Sequence, residues 1–156
     1  MTSFIAVRGE ITAVNDSQPF QQIQMTGLAG EVLQLPRLQQ AGVTSVPPVG
    51  TEVLALFING RSHGYVVAEE CPDHRPTGLT PGDVALYAQT AGGCTLKLLA
   101  NGAIELTPTN DQPVTVNGDL VATGQVSDAT GTMQEMRDTY NTHTHASGPT
   151  PDQAMS

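Results

Sequence analysis

After Tyr87 the chain carries no aromatic residue until Tyr140, yet from Asp83 to Val116 it keeps alternating apolar and polar side chains in short runs. That combination limits what the segment can fold into. Leu96, Leu98, Ile104, Leu106, Val114 and Val116 fall on one face of a period-two pattern, with Thr95, Lys97, Glu105, Thr107 and Thr115 on the other. Asn101-Gly102 and Asn117-Gly118 are tight-turn dipeptides between runs. About 45 residues of thin strands cannot bury themselves alone, because domains that small are marginal even with good cores. Such strands stack, or meet copies of themselves around a symmetry axis. A three-fold axis with these aliphatics pointing inward gives a stiff prism. The competing reading has the strands extend the preceding domain as a single sandwich.

Upstream, from Arg8 to about Glu70, five short strands are punctuated by turns. GEITAV and QQIQMTGL alternate on either side of Asn15–Pro19, EVLQL follows, and TEVLALFI is the strongest strand signal in the chain. Asn59-Gly60 reads as a hairpin turn before GYVVAE. Five strands of this length predict an OB-type barrel or another small β-barrel. The expected architecture is all-β: residues 1–72 a barrel, 73–82 a Pro/Gly-rich linker, 83–128 the strand repeat and 129–156 a tip. Within the tip, Met133, Met136 and Tyr140 suggest one or two helical turns. The closing stretch ASGPTPDQAMS reads as a surface-hugging cap or a frayed tail.

Charge excludes some partners. A formal net charge of −9 with six Lys and Arg argues against nucleic acid and against adsorption to an anionic lipid surface. Cys71 and Cys94 lie outside any CxxC pattern and read as free thiols in a reducing cytoplasm. The beginning, MTSFIAVRGEITAV, lacks the regions of a signal peptide, and no apolar run approaches the ~18 residues of a membrane helix.

One spacing carries chemistry. NTHTH puts His143 and His145 two apart, so an extended backbone turns both imidazoles to one side. One chain offers two nitrogen ligands, too few for a transition metal. Three copies around an axis offer two each, six in all, enough for a closed octahedral site that iron(II), nickel or zinc could fill. No catalytic or cofactor-binding residue stands out. GxSxG is absent, neither cysteine has an activating motif, and no Gly-rich loop precedes Lys97. His63 and His74 read as surface or core histidines. A mononuclear iron enzyme would need a third, carboxylate ligand, and Asp152 is the one acidic residue after the pair. A ligand-binding OB module would need basic and aromatic residues on its barrel face; Phe4, Phe20 and Phe57 are too few and the charge is wrong.

Taken together, QMTGLAGEVLQ, AGVTSVPPVGTEVLALFINGRSHGYVV, RPTGLTPGDVALY and MQEMRDTYNTHTH resemble the Mu-type baseplate spike family, the baseplate assembly protein V family of contractile phage tails. The resemblance implies a non-enzymatic homotrimer at the tail tip. It implies an N-terminal OB-fold attached to the baseplate hub and tail tube proteins, and a triple-stranded β-helical needle that pierces the host outer membrane. It further implies an iron ion on the three-fold axis, one per trimer, held by six histidines, here His143 and His145 of each copy. The expected location is the virion, at the baseplate tip, after assembly in the host cytoplasm. A tailocin or related contractile injection system would use the same kind of spike.

Overall fold

Phe4–Ala6 pair with Ile58–Leu56, so the first strand begins ahead of the alternating run that marks it in the sequence. The computed structural model describes residues 3–146 and 148–155. Strands β1 (Phe4–Asn15), β2 (Gln22–Thr26), β3 (Val32–Pro36), β4 (Glu52–Ile58) and β5 (Gly64–Glu70) form one antiparallel sheet in the order β3-β2-β1-β4-β5. Alternation decides which side chains enter the core. Val7 and Ile11 of β1, Ile23 and Met25 of β2, Val53, Ala55 and Phe57 of β4, and Val66 of β5 are buried together. Phe57 is the one aromatic ring in that cluster. Gly9 sits where β1 passes closest to β2: an added Cβ would collide with the Thr26 carbonyl oxygen.

The two edge strands meet. Arg37 and Val66 form a parallel bridge, and the Leu38 amide donates to the Val66 carbonyl at 3.0 Å. A buried polar cluster lies at this seam. The Arg37 guanidinium donates to Gln21 Oε1 at 2.7 Å, to Ser45 O at 2.6 Å and to the Glu69 carboxylate. Burial pushes the Glu69 carboxyl up, against the opposing pull of Arg37 and Ser45. The Arg37 bonds hold the long segment between β3 and β4 in place.

Thr51 leads into β4 fully buried, and its hydroxyl has no hydrogen-bond partner. An unpaired buried hydroxyl costs about 1–3 kcal/mol. Thr51→Val keeps the shape and removes the orphan group, so it is expected to raise the unfolding free energy by roughly 1 kcal/mol. Denaturant titration of both proteins measures this; a loss of stability would mean the hydroxyl is satisfied in solution.

A second antiparallel sheet comprises β6 (Val84–Tyr87), β7 (Thr95–Leu98) and β8 (Ile104–Thr107), in that order. The β7–β8 turn uses the Asn-Gly pair: the Gly102 amide donates to Leu99 O at 2.9 Å, with Gly102 at φ 90°. Here the structure departs from the sequence pattern. The run from Pro113 to Val126, expected to continue as strands, contains no strand among the described residues. Val121 is 84% exposed. Alternation alone does not make a strand; the backbone needs a neighbour to pair with, and a lone chain supplies none here.

The chain divides into two compact units, Met1–Val114 and Thr115–Ser156. In the second, Asp128 closes a turn by accepting from the Thr130 and Gly131 amides at 2.8 and 3.1 Å. Thr132 then caps α1 (Met133–Thr142): its hydroxyl accepts from the Glu135 amide at 3.0 Å, and Glu135 accepts from the Thr132 amide at 2.6 Å. The expected helical turns are thus a ten-residue helix. Beyond it, Asn141 and Met155 exchange two hydrogen bonds, 3.2 and 2.8 Å, which tie the tail to the helix end. The molecule is mostly β with one short helix. No helix among the described residues is long and apolar enough to cross a membrane.

Candidate functional site

Register in the second sheet sorts its side chains into two faces. Val84, Leu98 and Ile104 lie opposite one another in one row, and Leu86, Leu96 and Leu106 in the next. The opposite face holds Lys97 across from Glu105, and Thr95 between Tyr87 and Thr107. The aliphatic stripe read from Leu96, Leu98, Ile104 and Leu106 is therefore a real sheet face. Val84 and Leu86, absent from that stripe, complete it; their place in the period is visible in VALY. The face is open: Leu98, Leu106 and Ile104 are 46%, 58% and 69% exposed. A cleft of 420 Å³ opens on it, lined by Leu86, Leu96, Leu106, Pro108, Pro113 and Val114. Val114 borders the face from outside any strand, and Val116 belongs to the second unit. Single exposed apolar residues are ordinary; here five of the six in register on one sheet face are exposed, and Leu96 is half-buried.

Asp83 fixes the start of this sheet. Its carboxylate accepts from the Thr80 amide at 2.8 Å, the Thr80 hydroxyl at 2.7 Å and the Ala100 amide at 2.8 Å. The Ala100 and Thr80 hydrogen bonds hold its pKa below the ordinary aspartate value. A depressed carboxyl pKa contributes stability that is complete above the unfolded pKa and is lost as pH falls through the folded one. Asp83→Asn is expected to destabilise the sheet at neutral pH, and the gap from the parent should close in acid. Unfolding measured across pH tests this; a gap that persists at low pH would assign the effect to shape rather than charge.

The histidine pair begins where α1 stops. His143 takes an extended backbone, φ −68° and ψ 149°, after its amide donates to Thr139 O at 3.0 Å. Its ring and that of His145 lie 5.0 Å apart, edge to face at 85°. The two imidazoles are neighbours, as the spacing of two predicts. His143 Nδ1 lies 2.5 Å from Tyr140 O, a contact in which that nitrogen donates. Among the described residues no group of three His, Cys, Asp or Glu side chains gathers to hold an ion within one chain. His63 and His74 lie in the β4–β5 loop and in the turn after Cys71. Cys71 is buried, Cys94 exposed, and both are free.

Residues 8–73 match the family model described as Bacteriophage Mu Gp45, N-terminal. Over that span the chain is similar to the Mu Gp45 family. The chain is 35% identical over 82 residues to the baseplate puncturing device gp45 of Escherichia phage Mu, covering 51% of this chain and 42% of that protein. It is 33% identical over 96 residues to the Mu-like prophage FluMu protein gp45 of Haemophilus influenzae, covering 61% of this chain and 52% of that one. The chain thus spans about half the length of the curated relatives it matches. The Gp45-type span runs from Arg8, within β1, through β5 and ends just past Cys71. The aliphatic sheet face and the histidine pair lie beyond it.

Proposed function

We propose that this protein is the central spike of a contractile phage tail, a non-enzymatic homotrimer that pierces the host outer membrane when the sheath contracts. The Gp45-type match over residues 8–73 carries the reading. Residues 1–72 are the attachment domain, an OB-type barrel seated on the baseplate hub and tail tube proteins. Its strand order, with the parallel Arg37–Val66 bridge joining the two edges, supports that architecture. Residues 73–82 link it to a needle over 83–128, in which three copies bury their aliphatic faces against one another. The exposed rows of β6, β7 and β8 support this, because such a face needs a partner and the described residues provide none. The run from Pro113 to Val126 would gain its strand partners from neighbouring copies.

The tip, residues 129–156, would hold one iron ion per trimer through His143 and His145 of each copy. The donor set fits. The two imidazoles are neighbours, their ring centres 5.0 Å apart, which supports their reaching one ion together. Tyr140 O holds the His143 ring through Nδ1, the kind of outer contact that fixes a ligand's tautomer. When bound, the ion would cross-link three chain ends and add folding free energy where each copy has least core. The rest of the mechanism is mechanical. Capped helix, turn and tail hold the histidines in place, and strands paired between chains leave few free edges to bend or fray.

The solution mass of the purified protein, with elemental analysis of the same peak, tests both parts. A trimer with about one iron per three chains is expected. His143→Ala with His145→Ala should remove the metal and leave the trimer; iron retained by that variant would overturn the site. A metal-free monomer would overturn the spike reading.

A further inference from the structure

Row by row, the outward side chains of β1, β4 and β5 form a patterned surface. Phe4 lies opposite Ile58; Ala6 opposite Leu56, and Leu56 opposite Tyr65. Arg8 lies opposite Leu54, and Leu54 opposite Ala68. The last row is Glu10 opposite Glu52 and Glu52 opposite Glu70. The intervening Val7, Val53, Ala55, Phe57 and Val66 are buried, so these rows face out. Strand β4 is consequently apolar on both faces, where a sheet with one side in water normally alternates. Phe4 is 62% exposed and Ile58 42%.

The fourth row is the more telling. Three carboxylates stand directly opposite one another across three adjacent strands, an arrangement that destabilises a sheet. Arg8 pairs with Glu52, and no ion pair forms at Glu10 or Glu70 among the described residues. A cleft of 430 Å³ opens beside the row, lined by Arg8, Glu52, Leu54, Ala68, Glu69 and Glu70. It has room for the apolar stem and charged head of a long basic side chain. Both features cost the isolated chain stability, and neither helps it fold.

We infer that this outer face is a docking surface for a protein partner that sets apolar side chains on the first three rows and Lys or Arg side chains on Glu10, Glu52 and Glu70. Charge selects the partner's chemistry. A second copy of this chain has six Lys and Arg against fifteen Asp and Glu and brings its own carboxylate row. An anionic lipid surface would repel the row. The inference rests on the spike reading, which places the partner among the baseplate proteins around the attachment domain.

The test uses the full chain in assembled tail particles, with Tyr65 replaced by the photo-crosslinking residue p-benzoylphenylalanine. Irradiation is expected to link it to a different protein, at a peptide with Lys or Arg close to the linked residue. Adducts to this chain itself, or to no protein, would overturn the docking surface while leaving the spike reading intact. Absence of the chain from particles before irradiation would overturn both. A second variant combines Glu10→Gln and Glu70→Gln and keeps the Arg8–Glu52 ion pair. It should melt a few degrees higher as the free chain, because the like-charge row is broken. It should also enter particles roughly tenfold less well in competition with the parent. Unchanged incorporation would show that the row is not what the partner reads.

Discussion

Phe57→Ala is expected to cost about 3–5 kcal/mol of unfolding free energy, enough to leave the five-stranded sheet largely unfolded at modest temperature. Phe57 is 1% exposed and is the one aromatic ring in a cluster otherwise built of Val, Ile, Leu, Met and Ala. The position opposite explains the fit. Gly64 pairs with Phe57 across β4 and β5, and a Cβ at Gly64 would lie 2.5 Å from two carbons of the ring. The ring occupies the volume a side chain there would fill. Gly64→Ala alone should therefore destabilise by about 1–3 kcal/mol through overpacking. In the double variant the methyl group enters the cavity, so the two losses should fall short of their sum by at least roughly 0.5 kcal/mol. Denaturant titration of the parent, both single variants and the double variant measures the coupling. Strict additivity would mean that the ring and Gly64 do not share this space.

Much of this was legible in the sequence, and the gaps have physical causes. TEVLALFI announced β4 because β-branched and aromatic residues crowd it, and Asn59-Gly60 announced the turn after it; both residues take positive φ, 56° and 105°. The aliphatic rows of β7 and β8 were legible because a period of two maps directly onto sheet faces. The capping box at Thr132 and Glu135 was also written in the sequence, as Thr-x-x-Glu ahead of Met136, and it fixes the start of a helix that Met133, Met136 and Tyr140 alone left short. Other features were out of reach. Cross-strand register pairs residues distant along the chain, so the row Glu10–Glu52–Glu70 cannot be seen in any local window. The Arg37 cluster gathers Gln21, Ser45 and Glu69 from three separate segments for the same reason. Val114 and Val116 show the opposite failure. Their alternation looks like strand, but a strand exists only where its backbone finds a neighbour.

Leu96→Glu with Leu106→Glu is expected to abolish self-association and leave the five-stranded sheet folded. The two leucines lie opposite each other on the aliphatic face, and the substitution keeps strand geometry while changing what the face can touch. In the proposed trimer each leucine contributes roughly 1.5–3 kcal/mol of burial, repeated in three copies. Each carboxylate left in its place would suffer several kcal/mol of desolvation with no cation opposite, and all would meet near one axis and repel. At about 1.4 kcal/mol per factor of ten, the combined loss exceeds what a protein assembly of ordinary affinity can absorb. The solution mass should fall to that of one chain, while the thermal transition of the five-stranded sheet persists. Lys97→Glu on the opposite face is the control, because it changes charge by a similar amount where no copy needs to approach; it should remain assembled. If the double variant stays trimeric, the aliphatic face lies outside the interface, and the copies must be held by the attachment domain or the tip. If Lys97→Glu also dissociates, net charge rather than this face governs assembly. The face is thus the point at which the sequence pattern, the uncovered rows of the second sheet and the proposed mechanical role stand or fall together.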